Sequence, residues 1–191
     1  MKRMSDLEMA ILGIIWKRAP CTAYAVAREF FTSPSSHWRG SAGAVYPAID
    51  RMRRLGLIKQ RKDVRLGRPC SLLALTPKGL AQLQQWLTPP LDEAAATIPH
   101  DPVRTRSFFL AALPPEQQRA FLEDAERQLN AQLPALENEI ARYQESGDWF
   151  SEQAQRGTLH VMRGRLTWLR EFLAAFDRRQ AESTSAKEKN K

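Results

Sequence analysis

The chain has 191 residues, 43% of them hydrophobic and 26% charged, which allows two small domains with packed cores and excludes disorder throughout. No apolar run reaches the roughly 18 residues of a spanning helix, and the opening MKRMSDLEMAILGIIWKR carries Asp6 and Glu8 where a secretion signal is apolar; a cytoplasmic protein with no membrane partner is expected. The net charge of +8 is unevenly placed: residues 1–90 hold 15 Lys and Arg against 5 Asp and Glu, residues 91–191 hold 14 against 16, the pattern of a polyanion-binding module joined to a near-neutral partner domain.

In chain order, residues 5–18 read as a helix: Ser5 caps it, Asp6 and Glu8 suit its positive end, and Leu7, Ile11, Ile14 and Ile15 recur at helical spacing. Pro20 stops it. Thr22 caps a second helix carrying Tyr24, Val26, Ala27, Phe30 and Phe31 and ending near Thr32. TSPSSHWRGS reads as a turn-rich connection. Ser41 then caps a third helix in which Val45, Ile49, Met52 and Leu55 form the inward stripe, and Gly56 ends it. That stripe leaves Ala42, Tyr46, Asp50 and Arg53 on another face.

LGLIKQRKDVRLGRPCSLLALT reads as a β-hairpin with a basic tip. Thr76 and Pro77 open a helix through Leu80, Leu83 and Leu87 that stops before Pro89 and Pro90. TPPLDEAAATIPHD lacks periodicity, so the expected division is a winged domain over 1–88, a linker over 89–101, a helical domain over 102–180 and a disordered tail over 181–191. Within the helical part, PVRTRSFFLAAL makes a short helix. A seam from Phe121 to Tyr143 makes a long one that Pro134 kinks or divides, and a third long helix runs from Ser151 to about Arg179. The expected fold class is mainly α with a small β-hairpin: an N-terminal winged helix-turn-helix plus long C-terminal helices that pair two chains.

Three helices followed by a hairpin present the third helix to the major groove of DNA and the hairpin to its backbone or minor groove. Between Arg51 and Arg68 lie eight Lys and Arg with Asp63 the sole acid, so binding should weaken steeply with salt. Small residues at Ser41, Ala42 and Gly43 let the start of the third helix approach a phosphate closely, and Tyr46 can reach sugar, phosphate or base.

LEMAILGIIWKRAPCTAYAVAREF, SAGAVYPAIDRMRRLGLI and LLALTPKGLAQL resemble the PadR family of bacterial transcriptional regulators over roughly residues 5–87. The resemblance implies a homodimer whose C-terminal helices cross with the partner's, acting as a repressor of nearby genes on double-stranded DNA. It implies DNA contacts at Tyr24, Ser41, Ala42, Gly43 and Tyr46, with Arg65 and Arg68 of the wing along the backbone. Ala23 stands where a glycine often precedes the tyrosine, and Ser71, Leu72 and Leu73 replace a frequent Lys-Tyr-Tyr.

The long C-terminal seams are expected to be buried mainly between subunits. Phe108, Phe109, Trp149, Phe150, His160 and Trp168 are candidates to line a pocket for a small aromatic effector, against ordinary core packing of the same residues. Cys21 and Cys70 form no CxxC pair, which indicates neither zinc nor a disulfide framework. No G-x-S-x-G, phosphate loop, HExxH or carboxylate pair near a histidine is present, so neither catalysis nor a cofactor is expected. The competing class is a sequence-neutral, nucleoid-type nucleic-acid-binding protein, which the basic N-terminal half supports equally.

Overall fold

The Glu8 N–H donates to the Ser5 hydroxyl and the Ser5 N–H donates back to the Glu8 carboxylate, a reciprocal box that starts α1 (Asp6–Arg18). Thr22 starts α2 (Ala23–Phe31) by accepting from the Ala25 N–H. Met9, Ile11, Leu12 and Ile15 of α1 meet Val26, Ala27 and Phe30 of α2 in one core. The computed structural model describes residues 4–33, 35–65, 68–91 and 93–189 and divides into two units, Met1–Thr97 and Ile98–Lys191.

The segment expected to be a turn-rich connection contains a helix, α3 (Ser36–Ser41). Trp38 sets its ring edge-on to Phe30 with centroids 5.7 Å apart, and that apolar contact overrides the polar composition around it. Ser41 therefore ends α3 instead of capping the next helix, its hydroxyl donating to the His37 carbonyl at 3.0 Å. A 3-10 turn over Ala42–Ala44 leads straight into α4 (Val45–Arg54). Val45, Ala48, Ile49 and Met52 are buried, with Ala42 just ahead of them, while Leu55, assigned to the stripe from its spacing, is half exposed.

Gly56, at φ 71°, reverses the chain out of α4, and the Leu57 N–H donates back to the Met52 carbonyl. Strands β1 (Ile58–Arg65) and β2 (Arg68–Leu75) follow, antiparallel, in register from Ile58↔Leu75 to Arg65↔Arg68. Cys21 and Leu73 exchange backbone hydrogen bonds of 3.2 and 2.7 Å, tying the hairpin to the turn between α1 and α2. Thr76 starts α5 (Pro77–Leu87) by accepting from the Gly79 N–H, and its own hydroxyl donates to the Gly56 carbonyl at 2.7 Å. The Lys78 ammonium donates to the Leu55 carbonyl at 2.9 Å, so the start of α5 grips the end of α4. The approach is close enough that a Cβ on Gly79 would lie 2.1 Å from the Leu57 carbonyl oxygen.

In the second unit, Asp101 caps α6 (Pro102–Ser107) by accepting from the Val103 and Arg104 N–H groups. A 3-10 turn over Leu110–Ala112 precedes α7 (Pro115–Asn130). The expected division near Pro134 falls at Ala131 and Gln132, with the proline in the first turn of α8 (Leu133–Ser146). Gly147, left-handed at φ 70°, closes α8. The last helix, α9 (Trp149–Lys189), is longer than its apolar pattern, because AESTSAKEK contains neither Gly nor Pro to end it.

Helix α9 runs antiparallel to α8 and then α7, as its ion pairs record: Arg163–Glu137 at 3.1 Å, Arg170–Glu126 at 2.7 Å and Arg119–Asp177 at 3.4 Å. Leu110, Leu122, Ala125, Leu129, Leu166 and Leu169 are buried together between α7 and α9. The seams expected to be buried mainly between subunits thus close substantially within one chain. The reason is length: a 41-residue helix spans about 60 Å and covers both shorter helices.

Arg165 of α9 reaches both carboxylate oxygens of Asp101, at 2.8 Å to Oδ1 and 2.6 Å to Oδ2. Burial alone would raise the Asp101 carboxyl, but the Arg165 guanidinium and the α6 N–H groups outweigh it and hold the group below its ordinary value. Stability from this group is therefore present above the ordinary carboxylate range and is lost as pH falls through the lowered value. Asp101→Asn is expected to destabilise the protein by about 2 kcal/mol at pH 7 and to flatten acid unfolding followed by circular dichroism. Gly79→Ala gains about 1 kcal/mol of helix propensity but meets backbone; melting should show a net loss of about 2 kcal/mol or more.

Candidate nucleic-acid interface

On α2 and α4, which pack against each other, the core takes one side and leaves two tyrosines outside it. Tyr24 is 67% exposed and Tyr46 46%. Successive residues of a helix are about 100° apart, so Asp50 and Arg53 fall within about 40° of Tyr46. Gly43 is exposed, and a Cβ there would meet nothing within 4 Å. No contact inside the protein requires that residue to lack a side chain. Ser41 is half-buried, with its hydroxyl engaged by His37.

Ala42 corrects the sequence reading. It is 1% exposed and belongs to the core with Val45 and Ile49, so its methyl cannot touch a ligand. The 3-10 turn shifts it onto the inward stripe, one step before Val45. The phosphate-binding role expected of this helix start is also reduced. The Ala42 N–H donates to the Arg39 carbonyl and the Val45 N–H to the Ala42 carbonyl, because α3 runs into α4 and leaves no fresh helix terminus.

Lys59, Arg61 and Lys62 of β1 are exposed. The hairpin tip at 66 and 67 lies outside the described residues, as do the side chains of Arg65 and Arg68; the backbone pairs those two across the last rung of the ladder. Several basic groups are partly spent on the protein itself. Arg53 donates to Gln60 at 3.0 Å and pairs with Asp50 at 3.3 Å, and Arg61 lies 3.9 Å from Asp63.

Arg51 is ion-paired with Glu8, which is 3% exposed. Burial would raise the Glu8 carboxyl, but hydrogen bonds from Ser5 and the Arg51 guanidinium hold it below its ordinary value. Sequence reasoning saw in Glu8 only a residue that suits the helix dipole. The Ser5-x-x-Glu8 spacing signals the capping box, but nothing local signals a partner 43 positions later.

The aromatic effector candidates do not converge within the chain. Phe108, Phe109, Trp149 and Phe150 are 59–79% exposed and His160 is exposed, whereas Trp168 is half-buried, 6.0 Å from Phe172. Trp149 and Trp168 are 19 residues apart on one helix, about 28 Å, too far to line one small pocket. A groove of about 1060 Å³ opens instead in the first unit, walled by Met4, Ala10 of α1, Trp38, and Trp86, Leu87 and Leu91 around the end of α5.

Among the described residues no His, Cys, Asp and Glu cluster could hold a metal, and no helix is long and apolar enough to cross a membrane.

Residues 11–85 match the family described as "Transcriptional regulator PadR-like family". No curated protein matches the chain. Among solved structures, Bacillus subtilis PadR in complex with operator DNA is 20% identical with a TM-score of 0.76, over 90% of this chain and 99% of that one. The PadR-like transcriptional regulator BC1756 from Bacillus cereus is 14% identical with a TM-score of 0.74, over 91% and 99%. Bacillus subtilis PadR in complex with p-coumaric acid is 20% identical with a TM-score of 0.69, over 92% and 99%. At these identities the likeness is one of fold, and it extends over both units.

Tyr46→Ala removes an exposed ring and should change stability by no more than about 0.5 kcal/mol. It is expected to weaken operator binding about tenfold or more while sparing random-sequence DNA. Equal losses on both DNAs, read by competition anisotropy, would remove Tyr46 from sequence readout.

Proposed function

From the match of residues 11–85 to the PadR-like family, we propose that this chain is a DNA-binding transcriptional regulator, a cytoplasmic, homodimeric repressor. In this reading it holds a palindromic operator with one α4 per half-site. The observation that carries the reading is the pairing of exposed Tyr24, Gly43 and Tyr46, which the core does not need, with a basic hairpin immediately after α4. Ser41 borders this surface, and Arg65 and Arg68 follow the DNA backbone. Residues 1–88 carry DNA binding and 102–180 carry dimerisation.

Dimerisation is supported by what the intrachain packing leaves over. Phe108, Phe109, Phe150 and Val161 stay 61–79% exposed on the second unit, more large apolar surface than a lone unit gains from showing to water. A two-fold dimer matches a palindrome and doubles the area that meets DNA. Release by a small aromatic effector is supported by the relative solved with p-coumaric acid and by the two-tryptophan groove, whose size is on the scale of ligand sites.

The test is fluorescence anisotropy on the intergenic DNA upstream of the protein's own gene, with random-sequence competitor at near-physiological salt. A regulator is expected to favour that DNA by about 10³-fold or more. Replacing Arg65 and Arg68 with Ala should lower affinity for all sequences and reduce the salt slope by about 0.9 for each phosphate no longer neutralised. Complete competition by random DNA would favour the sequence-neutral binder. Light scattering of the same sample should give twice the 21.8 kDa chain mass; a monomer would remove the dimer from the reading.

A further inference from the structure

Glu8 is the one charged or polar side chain buried among the described residues, and its two carboxylate oxygens have different partners. Oε2 accepts from the Ser5 N–H at 2.9 Å and from the Ser5 hydroxyl at 3.1 Å. Oε1 meets the Arg51 guanidinium. One oxygen is thus committed to the N-cap of α1, which stops the carboxylate from swinging, and the other is left to hold α4. A carboxylate removed from water is costly unless paired and hydrogen-bonded, so Arg51 is held to this place although about half of its side chain remains exposed.

Arg51 lies five residues beyond Tyr46, about 140° around α4. The tether therefore pulls on one flank of the helix while Tyr46, Asp50 and Arg53 occupy another. Besides this tether, α4 is held by the buried Val45, Ile49 and Met52, by Thr76 and Lys78 at its C-terminal end, and by Arg53, which donates to Gln60 of β1 at 3.0 Å. Among these side-chain hydrogen bonds and ion pairs, Arg51–Glu8 is the one that ties α4 to α1.

Resting on the reading that α4 faces DNA, we propose that Glu8 is a positioning residue for sequence recognition, fixing the rotation of α4 through Arg51 without touching DNA. Sequence discrimination then depends on Glu8, while general affinity for DNA does not. Arg51 serves the protein before it serves a phosphate: its charge is held by Glu8, and releasing it adds a free cation to the surface instead of removing one.

Glu8→Gln keeps the size of the side chain and an acceptor for Ser5 but turns an amide donor toward Arg51. At a temperature where circular dichroism shows the variant folded, its preference for the upstream intergenic DNA over random DNA is expected to fall about tenfold. Random-DNA affinity and the salt slope should stay at their native values or rise slightly. Glu8→Asp keeps the charge, and the long Arg51 stem takes up the missing methylene; its preference should return to within about threefold of native. A merely structural glutamate would lower the melting temperature in Glu8→Gln and leave the preference intact, which overturns the proposal, as does a Glu8→Asp variant no better than Glu8→Gln.

The tether is also read without DNA: amide hydrogen exchange in residues 45–54 should accelerate in Glu8→Gln relative to α2 and α5, and unchanged relative protection overturns it. If the native protein itself shows no sequence preference, the functional reading fails, and the exchange measurement still decides the tether.

Discussion

Ten residues are too few for α4 to hold itself in water. Isolated helices shorter than about 12–15 residues are marginal, and this one carries Pro47 in its first turn and three arginines in its last. Whatever α4 presents to the outside is therefore presented by its neighbours. The core takes Val45, Ala48, Ile49 and Met52; the start of α5 takes the carbonyls that follow the helix, through Thr76 and Lys78; the buried carboxylate of Glu8 takes Arg51. Each of these lies on the side away from Tyr46 or at the end of the helix, so the tyrosine face stays clear. The close approach of Gly79 to Leu57 belongs to the same arrangement, since a bulkier residue there would push α5 off the end of α4.

The two units spend charge differently. In the first, cations gather from the last turn of α4 into the hairpin and only some are answered, as Arg51 is by Glu8 and Arg53 in part by Asp50. Lys59, Arg61 and Lys62 remain on the hairpin surface, where they suit a polyanion. In the second, arginines of α9 meet acids of α7 and α8 at steps of about two turns. Exposed pairs of this kind contribute little energy each, but with opposite charges spaced along two antiparallel helices they penalise a shifted register. The result is a basic unit joined to a near-neutral helical one, with unspent apolar surface on the latter at Phe108, Phe109 and Phe150.

Much of this was legible because it is local. Ser5, Thr22 and Thr76 are caps by residue type and position, and all three make the expected hydrogen bond. The hairpin follows from two apolar runs about a basic centre. The inward stripe of α4 follows from steps of three and four, up to Leu55. The exposure of Tyr46 was legible from that stripe, which leaves it outside, and Gly43 stood out by its small size, whereas Tyr24 was read among the apolar positions of α2 and entered the candidate site only through the family resemblance. Sequence reading failed at Ala42, because spacing counted from Ser41 assumed one unbroken α-helix, and a 3-10 turn advances about 120° per residue instead of 100°. It failed at TSPSSHWRGS because composition cannot register that Trp38 finds Phe30.

Sequence by itself determined the periodic and punctuated features: where helices begin, which faces are apolar, where charge accumulates and that a hairpin follows the third apolar helix. Those depend on residues within a few positions of one another, and backbone geometry converts such spacing directly into a face or a cap. Only the tertiary structure decided which oxygen of Glu8 holds Arg51, that Asp101 in a supposed linker anchors α6 to α9, and that α9 closes the seams of α7 and α8 within its own chain. These depend on groups 43 and 64 positions apart, or on which of two identical apolar faces, the chain's own or another copy's, arrives first. No local spacing encodes that choice; it is made by the loops that set where each helix can reach.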